Sequence, residues 1–230
     1  MAVIEGGAGG LIVDVGQNVA SVPLHVTPRP MAHGTTLGSY RIAATTGTLA
    51  AALAASGQLF YVRWTDATRF FVLKKFRARF QALTLFTAAT LTDFGFDLFK
   101  ATAVSAGGGG TDLGALVKTK MKSTMGASLL DAAGLMRIST TAALTAITTL
   151  DATAIAQSLG DPQRVNPAAA TEEQRVNDPT LEYDFSLADG DYPLVLAQNE
   201  GLVLRNRAVW PVAGTGIVQV EMAWDEVSAI

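Results

Sequence analysis

The sequence of 230 residues contains no cysteine and only two histidines. Without thiols there is no disulfide framework, no thiolate nucleophile and no cysteine-type zinc site. His25 and His33 stand eight apart and neither is followed by glutamate, which excludes the His-Glu-x-x-His zinc pattern. Charge is also scarce: Asp, Glu, Lys and Arg make up 16% of the chain, against about 25% in ordinary soluble domains. Lys and Arg number 17 and Asp and Glu 20, a net charge of −3. That balance lacks the clustered cationic surface that nucleic acid demands, so no nucleic-acid partner is expected. Long apolar runs are missing as well. Mean hydropathy is +0.30, yet a run such as Leu49 to Ala55 falls far short of the ~20 residues of a membrane span. No membrane partner is expected. No asparagine opens an Asn-x-Ser/Thr acceptor, and the opening Met-Ala-Val-Ile-Glu-Gly-Gly has neither a basic nor a continuous apolar region. No signal peptide is therefore expected, and a cytosolic origin fits best.

Motifs for catalysis are equally thin. A nucleophile elbow needs Gly-x-Ser-x-Gly, and Gly126-Ala127-Ser128-Leu129-Leu130 lacks the second glycine. A phosphate-cradling loop needs Gly-Lys-Ser/Thr after its glycines, which neither Glu5 to Gly10 nor Gly107 to Gly110 supplies. Asp184, Asp189 and Asp191 around Gly190 lack the spacing of a calcium loop and fit turn chemistry instead. Glu221, Asp225 and Glu226 fit a solvated acidic face. No enzyme activity, metal or cofactor is expected.

What the chain does contain is β pattern. Leu59 to Trp64 is aromatic and β-branched. From Arg69 to Phe80, residues Phe70, Val72, Phe76, Ala78 and Phe80 share one parity and Lys75, Arg77 and Arg79 the other. That alternation predicts a strand with one wet face. Phe94 to Phe99 repeats it briefly. Tyr192 to Leu196 and Leu202 to Arg207 flank Gln198-Asn199-Glu200-Gly201, predicting a hairpin with a positive φ at Gly201. Val218, Val220, Met222 and Trp224 alternate along a last strand. Helix is expected only in short pieces. These are the Ala-rich Leu49 to Ala55, and Asp112 to Lys122, where Leu113, Leu116 and Val117 follow Thr111 as an N-cap. Ile138 to Leu150 is open between the two states.

Residues 1–40 differ from the rest. Glycines at 6, 7, 9, 10 and 16 and prolines at 23, 28 and 30 disfavour compact regular structure. Leu11, Val13, Val15, Val22, Leu24 and Val26 nevertheless need burial, so the segment is expected to be an extended arm lying on a neighbouring subunit, with an ordinary edge strand plus loop of the same domain as the alternative. The expectation is a mainly β protein, a jelly-roll-like β-sandwich body over 41–230, with that arm and few short helices. Two basic features stand out, the stripe Lys75, Arg77, Arg79 and the alternating Lys118, Lys120, Lys122. The stripe is either a solvated outer face or a contact for an acidic partner.

Several stretches, in order from 38 to 227, resemble structural proteins of tailed-bacteriophage virions of the capsid decoration, or cement, type. They are Gly38-Ser39-Tyr40-Arg41-Ile42-Ala43-Ala44-Thr45-Thr46-Gly47-Thr48, Val62-Arg63-Trp64, Arg137 to Thr145, Leu150-Asp151-Ala152, Pro193 to Gly201 and Trp224-Asp225-Glu226-Val227. The resemblance implies a non-enzymatic virion component on the capsid surface, made in the host bacterial cytoplasm. Its partners would be the major capsid protein and copies of itself, in a homotrimer. It carries over no functional residue. A tail, neck or adaptor component forming rings is the alternative, and a carbohydrate-binding β-sandwich module the second alternative.

Overall fold

The computed structural model describes residues 3–4, 13–14, 38–84, 86, 91–92, 94–104, 107–145, 149–158, 163–164, 179–185 and 192–228. At 3–4, 13–14, 91–92 and 163–164 only the backbone is described. Residues 1–31 and 32–230 are separate units. In the first, β1 (Val3–Ile4) pairs antiparallel with β2 (Val13–Asp14). The expected arm residues Leu11, Val15, Val22, Leu24 and Val26 lie outside the described residues. Val13 lies in β2.

The second unit is a β-sandwich. Sheet I contains β3 (Gly38–Thr45), β5 (Phe70–Thr84), β9 (Thr119–Lys120), β14 (Thr180–Asp184), β15 (Leu194–Leu196) and β17 (Thr215–Val227). Sheet II contains β4 (Gln58–Arg63), β7 (Phe96–Ala103), β8 (Thr111–Asp112), β10 (Met136–Ile138), β11 (Thr149–Leu150), β12 (Ala156–Gln157) and β16 (Gly201–Asn206). A small ladder joins β6 (Leu91–Thr92) to β13 (Gln163–Arg164). Because β3 begins at Gly38, residues 38–40 belong to the sandwich and not to the preceding segment.

The strand order is β14-β5-β17-β3-β9 in sheet I and β11-β7-β16-β4-β10-β8 in sheet II, with β15 beside β5 and β12 beside β7. The pairings are nested: β3 with β17, β4 with β16, β5 with β14 and β15, β7 with β11 and β12, all antiparallel. This is one long double-stranded ribbon folded over on itself, with β17 also pairing β5 and β16 pairing β7. That is jelly-roll topology. Strands β8, β9 and β10 extend its edges from the excursion between β7 and β11.

The alternation in sequence places the core. Ile42, Phe76, Ala78, Phe80, Val218, Val220, Met222 and Trp224 from sheet I meet Phe60, Val62, Phe96, Leu98, Leu202 and Leu204 from sheet II. Phe60 and Phe76 touch across the layers with ring centroids 5.8 Å apart. At one end Phe80 stacks on Phe94 at 5.3 Å and meets Trp210 edge-on at 5.1 Å. Sheet II is buried on both faces, because Tyr61, Ala101 and Val203 on its outer side pack with Val104, Leu144 and Leu150. A continuous apolar run such as Leu59 to Val62 is what a doubly covered strand requires.

Four expectations are corrected. The parity in β5 changes at Lys74, which β17 skips in pairing Lys75 with Ala223 and Leu73 with Trp224. This bulge adds one residue, so Phe71 and Leu73 are buried and Phe70 and Val72 are not. No helix occurs among the described residues. Leu49 makes a bridge to Gly216, and 112–122 holds β8, a turn and β9. The expected hairpin of 192–207 is a crossover: β15 pairs β5 in sheet I, and β16 pairs β4 and β7 in sheet II. Its positive φ falls on Asn199, at 64°. Gly201 is required for a different reason, since a Cβ there would stand 2.3 Å from the Val62 carbonyl oxygen. Ile138 to Leu150 resolves into the ends of β10 and β11.

Candidate functional site

The outer face of sheet I is open and polar. Its strands carry residues in register across β3, β17, β5 and β14. One row is Ala43, Glu221, Arg77, Glu182; the next is Arg41, Ala223, Lys75, Asp184; the third is Thr45, Gln219, Arg79, Thr180. Small residues on the β3 side leave an open concavity of 1020 Å³ between the charged walls. The expected basic stripe lies here, and the strand beside it supplies its counter-charges. Lys75 Nζ donates to Asp184 at 2.7 Å, and Arg77 Nε donates to Glu182 at 2.8 Å. The Arg77 guanidinium holds the Glu182 carboxyl below its ordinary range, and Glu182 in turn raises Arg77. An acidic partner at Lys75 or Arg77 would have to displace Glu182 and Asp184.

A second feature sits in the excursion between β8 and β10, and it is inside out. Lys118 is 2% exposed, while its neighbours Val117, Leu116 and Met121 are 80%, 54% and 48% exposed. The ordinary preference is the reverse, with lysine outside and aliphatics inside. The cause is a shell of acceptors. Lys118 Nζ donates to the carbonyls of Leu116 at 2.6 Å, Leu113 at 2.8 Å and Leu130 at 3.1 Å. It also lies 3.3 Å from Asp131 Oδ1, which accepts the Lys118 backbone N–H at 2.9 Å. Burial pulls the Lys118 ammonium below its ordinary pKa, and Asp131 pulls it back up. These bonds fix the loop and hold Leu116 and Val117 outward. The alternating Lys118, Lys120, Lys122 is therefore not one charged face.

A third cluster ties this excursion to β17. Glu226 is buried, and its Oε1 accepts from Ser128 Oγ at 2.6 Å, from the Leu129 N–H at 3.1 Å and from Trp224 Nε1 at 3.2 Å. Burial raises the Glu226 carboxyl, and the three donors oppose that rise. Tyr40 donates from its hydroxyl to the carbonyls of Gly126 at 3.2 Å and Ala127 at 3.3 Å. Burial, with Glu226 and Asp131 adding to it, pushes Tyr40 up to about 12. The expected solvated acidic face is thus corrected at Glu226 and at Asp225, which is also buried and lies 3.5 Å from Lys74 Nζ. The Ser128 hydroxyl donates to a carboxylate and accepts the Leu130 N–H at 3.1 Å, so this cluster is a clamp on the 126–131 turn.

Neither inside-out lysine nor buried glutamate was legible beforehand. The available signal was the pair of aliphatics immediately before Lys118 in a segment that also carries Asp112 and Asp131, which accept backbone N–H groups. Among the described residues no group of three His, Asp or Glu converges as a metal site. No family model, no curated protein and no solved structure matches this chain.

Proposed function

We propose that the protein is a structural subunit of a tailed-phage virion that decorates the capsid, binding the major capsid lattice without covalent chemistry, as a homotrimer. The observation that carries an assembly role is the rigid loop that keeps Leu116, Val117 and Met121 in water around a buried Lys118. Covering those side chains with another protein removes apolar area worth ~25 cal/mol per Å², and the loop is already ordered, so little further entropy is lost on docking. The jelly roll, a common capsid architecture, and the resemblance of residues 38–227 support the virion reading.

Size-exclusion with light scattering and co-sedimentation with purified phage heads test it. The expected results are a native mass three times 24.0 kDa and saturable head binding, which the pair Leu116→Ser and Val117→Ser abolishes. A ring of six or more copies that ignores heads would replace the decoration role with a tail or neck role. Binding that survives the two serines would remove the loop from the interface.

A further inference from the structure

Strand β3 is only partly covered along the edge that faces away from β17. Thr46 donates its N–H to Val218 of β17, whereas Gly47 donates away from it, to the Ser139 carbonyl at 3.1 Å. Main-chain groups alternate between the two edges of a strand, so those of Ala43 and Thr45 point away from β17. On that side the Ser39 carbonyl accepts the Met121 N–H at 3.0 Å, and Arg41 pairs with Thr119 of β9. The ladder stops there, where Lys118 turns into its shell of carbonyls.

Ala43 and Thr45 therefore lie in a gap between β9 and Ser139. Both are exposed, and among the described residues nothing meets their outward N–H and C=O groups. Native sheets blunt an open edge with a charge, a proline or a bulge. This edge carries alanine and threonine at those two positions, on a regular β3–β17 ladder. It opens into the concavity of sheet I, which Ala43 and Thr45 line together with Glu221, Gln219 and Arg77. Glu221 stands beside Ala43 in register. It meets Arg41 at 3.8 Å, beyond hydrogen-bond length, whereas Glu182 and Asp184 are bonded to their cations at 2.8 and 2.7 Å. A side chain on a strand added beside Ala43 would share its face and reach Glu221 across one small residue.

We propose that β3 receives, at Ala43 and Thr45, an extended segment of a protein partner that carries a lysine or arginine opposite Ala43. The segment's main chain completes the ladder between β9 and Ser139, and its cation pairs with Glu221. Leu116 and Val117 precede Thr119 by three and two residues, so the strand site and the apolar loop belong to one side of the subunit. The site stands on these residues alone; that the partner is the capsid lattice rests on the reading above.

The test is NMR of the intact protein titrated with the end-capped peptide Thr-Val-Lys-Val-Thr, and separately with Thr-Val-Glu-Val-Thr. Saturable shifts of the Ala43 and Thr45 amides are expected with the lysine peptide. Binding is expected to be about twofold to fivefold weaker in Glu221→Gln, as loss of an exposed ion pair allows, and weaker again for the glutamate peptide. Ala43→Pro removes an outward N–H and no rung to β17, and is expected to abolish saturation. Linear shifts with both peptides, or saturation that survives in Ala43→Pro, would overturn the strand site. Equal saturation by the two peptides would overturn the basic partner. Head co-sedimentation separates the two proposals. Wild-type binding that is lost in Ala43→Pro and weakened in Glu221→Gln supports the capsid as that partner. Equal binding by all three overturns it while leaving decoration intact. If the wild type ignores heads, the virion reading falls and the peptide titration still decides the site.

Discussion

Ser128 Oγ donates to Glu226 Oε1 at 2.6 Å across 98 residues of sequence, with both side chains buried. That one bond joins the excursion between β8 and β10 to the end of β17. Ser128→Ala leaves Glu226 short of a donor and exposes its charge to a drier surrounding. Hydrogen bonds to charged groups contribute about 1.5–3 kcal/mol, so a loss in that range is expected in chemical denaturation. Unchanged stability would show that water replaces the hydroxyl.

Glu226 also sets a pH dependence. Its carboxyl is raised in the folded protein, chiefly by burial. The folded state therefore favours the protonated form. The resulting stabilisation is fully present below the ordinary glutamate value of about 4.3 and is lost as pH rises through the raised folded value. Glu226→Gln keeps an acceptor and removes the titration. The thermal midpoint of the wild type, relative to this variant, should fall as pH rises above the ordinary glutamate value. A constant difference over that range would rule out Glu226 as the titrating group.

Lys118→Met removes the donor at the centre of the inside-out loop and strands Asp131 with three carbonyls. Breaking a buried pair from one side costs about 3–5 kcal/mol. Amide exchange across 113–131 should rise in the variant more than exchange in β5 or β17. Uniform acceleration would mean that the loop and the sandwich unfold together.

Leu116→Ser with Val117→Ser acts on the outside of that loop and should leave stability within about 0.5 kcal/mol, as for exposed positions away from special structure. Denaturant midpoints of the isolated protein check this. A large loss would mean that the two aliphatics serve the fold of the subunit itself.

Two glycines separate sterics from open space. At Gly201 a Cβ would meet the Val62 carbonyl at 2.3 Å and Val104 Cγ2 at 2.8 Å, whereas at Gly126 nothing lies within 4 Å. Gly201→Ala should cost about 1–3 kcal/mol by overpacking. Gly126→Ala should be near neutral. Equal effects would show that β16 can slide away from β4.

The strands that carry the sandwich are legible because period-two patterning is a local property. Ile217 to Trp224 shows it without help from the fold, and Leu59 to Val62 shows the other local signal, an unbroken apolar and β-branched run. What escaped depends on partners far along the chain. The extra residue at Lys74 reverses which phenylalanine of Phe70-Phe71 is buried, and only the β17 register reveals it. The spacing of Leu113, Leu116 and Val117 mimics a helix, but Leu113, Leu116 and Leu130 direct their carbonyls to Lys118 instead of to helical N–H groups. Leu194 to Leu196 and Leu202 to Leu204 look like a hairpin because their turn is short, yet β5 and β4 each claim one of them. The basic stripe was legible as a stripe; its neutralisation by Glu182 and Asp184 required the pairing of β14 with β5.

The nesting of the ribbon also has a mechanical meaning. Gly38 lies opposite Glu226 in the β3–β17 ladder, so the sandwich is entered and left at one end of the same pair of strands. Tension applied between residues 38 and 227 would open that ladder one rung at a time, because its hydrogen bonds run across the strands. Tension applied instead between the loop at 116–117 and the far end of β5 at Thr84 would load rungs in several strands together. A lattice that gripped this subunit by its loop would therefore draw on the stronger of these two directions, and one that gripped it by residues 38 and 227 on the weaker.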